Sequence, residues 1–230
     1  DATITSAKLS GNLTTPGTLT VTNSALISGT TPTLTIGDAG AEDAAIVFDG
    51  NAQDFHIGLD DTADSLAIGL GSALGTTDHM VFDATGAITK PLQPCVMVNP
   101  AGVQSNLAVS TTVDVIWGTE RFDQNADFAS NTFTAPVTGR YQVNVELRLD
   151  NLDTAANFLA LYALSSNHNY ASSILDYSVM GADVERWTQS FSGIIDMDAS
   201  DTFKVQVYID GGSAQTDVQV NSYLSIGLFA

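Results

Sequence analysis

Between Tyr141 and Leu149 the chain alternates without exception, apolar at odd positions and polar at even ones. A period of two places every odd side chain on one face of an extended strand, so this segment reads as a strand with one buried and one wetted face. Residues 113–117, 140–149, 157–164, 188–197, 202–209 and 218–229 carry the same kind of pattern and are read as strands. Some eight strands between 95 and 230 suit a jelly roll.

The first ninety residues are patterned differently. Short β pieces at 17–21, 32–37, 45–50, 55–59, 65–70 and 79–83 are separated by Gly, Asp and Thr. Ile-Gly recurs at 36–37, 57–58 and 68–69, and Val-Phe-Asp at 47–49 and 81–83. Ile36, Val47, Ile57 and Ile68 are spaced by eleven, ten and eleven residues, a period too short for an independent domain. A rung of this size offers one or two inward side chains and cannot bury an apolar face alone. A threefold β-prism or an intertwined triple β-helix, in which three chains each lend one wall to a shared core, solves that problem. Pro91 and Pro94 then stiffen the chain and end any ladder. The expected organisation is a repetitive β stalk and attachment region over 1–90, a proline linker at 91–94 and a head over 95–230.

Composition narrows the classes. Only 14% of residues are charged, with four Glu and three Lys, while Val, Ile, Thr, Phe and Tyr recur between turn residues. That is an all-β composition. A formal net charge of −19 excludes nucleic acid as a partner, since binding there needs clustered Lys and Arg. It also disfavours an anionic membrane surface. No run of 18 apolar residues exists, so no membrane insertion is expected. The single cysteine, Cys95, lies in an apolar run and reads as a buried, inert thiol. The chain starts at Asp1 with no Met and no signal-like segment, and further chain is expected upstream.

The segment from Phe122 to Tyr141 contains Phe133-Thr-Ala-Pro-Val-Thr-Gly-Arg-Tyr141, and the chain closes on Tyr223-Leu-Ser-Ile-Gly-Leu-Phe229. Between them, Gly193 to Tyr208 reads as strand, turn, strand. These three segments resemble the C1q and tumour-necrosis-factor-like jelly roll, with Ser200-Asp201 standing where that family has Gly-Asp. The resemblance implies a homotrimer and no enzymatic activity. It implies that Phe122, Phe133, Tyr141 and Tyr223 are packing aromatics. It also implies that the closing strand, with Gly227 and Phe229, lies near the trimer axis. No collagen repeat precedes the head. Residues 36–70, with their Asp-Gly turns, are similar to stalk modules of bacteriophage tail fibres, and the resemblance covers about residues 30–90.

Candidate chemistry is sparse. His56 and His79 lie in the stalk and His168 in a polar turn, none near Cys95 or in a Gly-x-Ser-x-Gly setting, so no catalytic residue and no cofactor site is assigned. Dispersed Cys and His exclude a one-chain zinc site, though a threefold axis could gather three copies of His79. Asp38, Glu42 and Asp43 in one loop, and Asp60, Asp61 and Asp64 in another, are weak candidates for calcium. Their spacing is not that of a calcium-binding hand, and Asp favours turns for backbone reasons, so solvated turn residues are the preferred reading. Tyr170 and Trp187, in polar loops, are candidate platforms for a sugar ring, with inward or interprotomer packing as the competing reading, favoured for Trp187.

The expected function is that of a bacteriophage virion structural protein. It would be a trimeric tail or head fibre, or a capsid-surface spike, joined to other virion proteins through its N-terminal region. Its head would be suited to attachment to a host-surface glycan or protein. The alternative is a secreted extracellular bacterial adhesin or matrix protein with a C1q-like head. A depolymerising fibre would need paired carboxylates on a long solenoid, which this stalk does not supply.

Overall fold

From Ala44 onward apolar alternation becomes extended strands, and the described residues of the computed structural model, 17–177 and 180–230, contain no helix. Residues 1–16, the start of the expected stalk with Lys8, lie outside them. Residues 17–43 contain no strand, which overturns the expected β pieces at 17–21 and 32–37. Leu19, Val21, Leu34 and Ile36 are apolar but exposed there, and no neighbouring segment pairs with them to form a ladder.

The next five strands form one antiparallel meander. They are β1 (Ala44–Phe48), β2 (Phe55–Asp60), β3 (Ser65–Leu70), β4 (Asp78–Asp83) and β5 (Ile88–Thr89), paired in sequence order. The ten-to-eleven-residue period is the length of one strand plus its turn: Ile46 pairs with Ile57, Ile57 with Ile68, and Ile68 with Met80. All five strands pair within the one chain, each with its neighbours in sequence.

Twelve further strands build the head. They are β6 (Cys95–Asn99), β7 (Thr112–Asp114), β8 (Thr119–Asp123), β9 (Phe128–Ala129), β10 (Thr132–Thr134), β11 (Gly139–Leu152), β12 (Ala156–Ser165), β13 (Asn169–Asp176), β14 (Val184–Met197), β15 (Thr202–Gly211), β16 (Asp217–Val218) and β17 (Tyr223–Leu228). One sheet runs β14-β11-β17-β6-β8, with β16 on the end of β11. The other runs β13-β12-β15-β10-β9, with β7 on β15. The chain crosses repeatedly between the two sheets, which is jelly-roll topology.

The core lies between these sheets. Tyr141, Val143, Val145, Leu147 and Leu149 of β11 point inward, at 2% exposure or less, against Leu159 and Leu161 of β12 and Val205 and Val207 of β15. Phe133 meets Tyr141 edge to face, with ring centroids 5.5 Å apart, and the Tyr141 hydroxyl donates to the Val137 carbonyl at 2.7 Å. Every residue of this cluster lies at Val96 or later. The junction before it is docked: the Gln124 side chain donates to the Lys90 and Gln93 carbonyls, Asn125 to Leu92, and Gln93 to Leu228.

Candidate interaction surfaces

The two faces of the meander have different fates. On one face, small residues leave room for the chain's own loop. Gly58, Ser65, Ala67 and Gly69 line it, and Leu74 from the β3–β4 connection sits against Gly58. His56 fills the same side and is fully buried. Its Nδ1 lies 3.0 Å from the Gly71 carbonyl, which can only accept, so Nδ1 carries a proton. Its Nε2 lies 3.4 Å from Asp78 Oδ1. Gly69 must be glycine for this, because a Cβ there would stand 2.6 Å from the imidazole. His56 is therefore a pin between β2 and the loop.

The opposite face is apolar at every position. Ala44, Leu59, Leu66, Phe82 and Ile88 form one cross-strand row. Ile46, Ile57, Ile68 and Met80 form a second, and Phe48, Phe55 and Leu70 a third. Phe48, Ile88, Leu59, Leu66, Phe55 and Ile46 are all exposed, Phe48 and Ile88 by more than half. His79 is exposed at the end of this face, its ring edge-on to Phe55 at 6.2 Å.

The acidic loops meet without making a metal site. The Asp61 amide donates to Asp43 Oδ1 at 3.0 Å, and the Ala63 amide to Asp60 Oδ1 at 3.0 Å. Asp38 and Glu42 hydrogen-bond each other, which lowers the Asp38 pKa and raises that of Glu42. Asp64 turns the chain at φ 50°. Among the described residues no group of three or more His, Cys, Asp or Glu is arranged to hold a metal ion. Asp38, Asp43 and Asp60 accept the backbone amides of Gly40, Asp61 and Ala63, a use as backbone acceptors that fits solvated turn residues.

In the head, Tyr170 is not a loop residue but part of β13. Its hydroxyl donates to the Asp196 carbonyl at 2.7 Å and accepts from the Asp196 amide, and His168 packs edge-on to its ring at 4.7 Å. It ties the edge strands of the two sheets together, with its ring partly buried. Trp187 belongs to β14 and packs on the core, with its Nε1 donating to Gln189 Oε1 at 2.9 Å. With Arg148, Arg186 and Thr188 it lines a shallow depression of about 240 Å³. The nearest carboxylate to each arginine is its own neighbour: Asp150 at 3.5 Å from Arg148 and Glu185 at 3.5 Å from Arg186.

Of the expected packing aromatics, Phe133 and Tyr141 are fully buried, and Tyr223 is half-buried on the outward face of its sheet. Phe122 and Phe229 are 48% and 65% exposed, so neither belongs to the core of the single chain. Phe122 lies opposite Met97 on the outward face, while Phe229 follows the end of β17. Gly227 faces outward with Cys95 across from it, and a Cβ there would meet nothing closer than 3.8 Å. Cys95 is half-buried, and burial pushes its thiol up, away from nucleophilic use.

No known protein family matches the sequence, and no curated protein does. Solved structures of C1q/TNF-family jelly-roll domains resemble the fold. The globular domain of zebrafish complement 1qA is 16% identical, covering 60% of this chain and 98% of that one, with a TM-score of 0.45. Murine APRIL is 11% identical, covering 60% and 99%, with a TM-score of 0.43. The Eiger TNF of S. frugiperda is 14% identical, covering 60% and 93%, with a TM-score of 0.43.

Proposed function

We propose that this chain is a structural protein of a bacteriophage virion. It forms a homotrimeric fibre or capsid-surface spike, joined to the particle through its N-terminal region and presenting the jelly-roll head for attachment to a host-surface glycan or protein. The observation that carries this reading is an asymmetry of completeness. The head has a closed core of its own, whereas the meander before it leaves most of one apolar face exposed, with Leu34 and Ile36 lining a hollow over part of it. A module that is finished only by other chains, set in tandem with a self-sufficient head, suits an assembled appendage and serves no purpose in a monomeric enzyme. The acidic, lysine-poor surface fits a role in solution at a particle surface.

The test has two parts. Light scattering on the intact protein should give three times 24.0 kDa, and mass spectrometry of purified particles from the source should contain its peptides. A folded monomer at micromolar concentration removes the trimeric reading. A trimer found free in the medium and absent from particles favours a secreted adhesin or matrix protein.

A further inference from the structure

We propose that the bare face of the meander is a self-contact surface: copies of this chain pack this face against the same face of their neighbours around a shared axis. The inference rests on the trimeric reading above and adds to it the surface and its occupant.

Three observations point to more copies of this chain as the occupant. The first is charge. The acidic residues of the meander, among them Asp49, Asp54, Asp60, Asp61, Asp64, Asp78 and Asp83, sit in turns or at strand ends, and none lies in the three apolar rows. Copies of a chain with net charge −19 repel one another by most approaches. This face is the approach on which no charge is brought together, with the carboxylates left at a wet rim.

The second is register. The rows run straight across the sheet, so each copy presents the same layers: a Leu/Phe layer, an Ile/Met layer and a Phe/Leu layer. Around a rotation axis, identical layers meet at identical heights and make a core without any further specificity device.

The third is area. A compact monomer of 24.0 kDa exposes about 9,900 Å², whereas this chain exposes 13718 Å². The excess, on the order of 3,800 Å², exceeds the roughly 800 Å² per partner of a stable interface. Both the exposed, strand-free segment from 17 to 43 and the apolar face of the meander contribute to it.

Ile46 and Val47 make the test sharp. They are neighbours on β1, on opposite faces, and in the single chain they are 42% and 41% exposed. Single-chain geometry gives thiols at the two positions similar reactivity. The full-length chain would carry Ile46→Cys, Ile57→Cys or Val47→Cys, each with Cys95→Ser, and would be labelled with a maleimide under native conditions. Its mass would be measured in parallel, followed by mild oxidation to cross-link neighbouring thiols.

Self-contact predicts labelling at least tenfold slower at 46 and 57 than at 47. It also predicts chain-to-chain cross-links from Ile57→Cys and none from Val47→Cys. A trimer that labels equally at all three positions overturns the inference and leaves the trimeric reading standing. A monomer that labels equally everywhere overturns both. A monomer protected at 46 and 57 means that the chain's own N-terminal segment, whose Leu34 and Ile36 already lie beside Ile46 and Ile57, covers the face, and self-contact is again wrong. Should a cysteine at 57 prevent folding, the 46 and 47 pair alone decides between these outcomes.

Discussion

Ser200 turns the chain between β14 and β15 at φ 77°, in the left-handed region that glycine enters without steric cost. The turn is closed by the Asp201 amide on the Asp198 carbonyl at 2.9 Å. The resembled family has glycine at this point, and the backbone shows why. Ser200→Gly should therefore stabilise the head by about 0.5–1 kcal/mol, less than the full left-handed penalty because glycine also gains freedom in the unfolded chain. Chemical denaturation measures it, and a loss of stability would mean the serine side chain has a compensating role. Asp201 beside it illustrates a second effect. Hydrogen bonds from the Ser166 hydroxyl and the Asp198 amide hold its carboxyl below the usual Asp value. Asp183 is lowered by Thr154 and Gln215, and Asp83 by Thr85 and Ala87. A carboxyl depressed in the folded state contributes stability that is present above its unfolded pKa of about 3.9 and lost as pH falls through the folded one. Asp127 runs the other way: burial and the nearby Asp123 raise it, so its cost at neutral pH is relieved on acidification. The melting temperature should therefore hold down to about pH 5 and fall below about pH 4. Asp201→Asn should flatten part of that fall, and Asp127→Asn should raise the melting temperature most at neutral pH.

At the scale of the element, β17 is the piece on which the head depends most. It pairs with β11 from Tyr141↔Leu228 to Glu146↔Tyr223, and with β6 from Leu224↔Val98 to Gly227↔Cys95. It fills the centre of its sheet, with Leu224 and Ile226 buried. A closing strand of this kind is protected from edge-to-edge aggregation because both of its edges are used. Deleting residues 222–230 removes two ladders and two buried apolar side chains worth about 1.5–3 kcal/mol each, a large part of the roughly 5–15 kcal/mol that holds a domain together. The truncated protein should be insoluble or lack near-ultraviolet dichroism. The milder Ile226→Ala should cost about 2–5 kcal/mol. Retention of a wild-type melting temperature by the truncated protein would show β17 to be dispensable. β13 makes a contrasting case. Asn169-Tyr-Ala-Ser-Ser-Ile-Leu-Asp176 mixes small polar and apolar residues without strict alternation, and it becomes a strand because β12 offers its free edge from Phe158 to Leu164. That is a tertiary cause, invisible to local pattern.

For the whole molecule, the question is which part folds without the other. The head core begins at Val96 and draws nothing from the meander, but the carbonyls of Lys90, Leu92 and Gln93 are capped by Gln124 and Asn125. A fragment covering 90–230 should therefore unfold cooperatively at nearly the melting temperature of the full chain. A fragment starting at 95 loses those contacts and should melt lower. Among the described residues before 91, only His56, Gly58, Ser65, Ala67 and Gly69 are buried, and one apolar face is largely exposed. They should show no cooperative transition at low concentration. Calorimetry of the three fragments checks this, and a well-folded isolated stalk beside an aggregating head would reverse the roles assigned to the two parts.

What the sequence determined by itself is what depends on period and composition. The strict alternation of 141–149 announces which face of β11 is buried, because a strand with a polar and an apolar side has only one orientation against a core. The ten-to-eleven-residue recurrence of Ile and Val announces rungs of equal length, and those rungs are β1 to β4. Tertiary structure alone decided matters that turn on neighbours distant in sequence. Phe133 is inside and Phe122 outside although both are aromatics in polar-flanked strands, because exposure depends on which side of its sheet a strand shows to the other sheet. Tyr170 is a tie between β13 and Asp196 because β14 runs beside it. His56 is a buried pin because Gly69 and Gly71, thirteen and fifteen residues on, leave it a space and an acceptor. The apolar rows of the meander are written in the sequence, but that they stay largely exposed follows from where the chain goes: the loop 71–77 lies on the opposite face, and Leu34 and Ile36 reach only part of the rows.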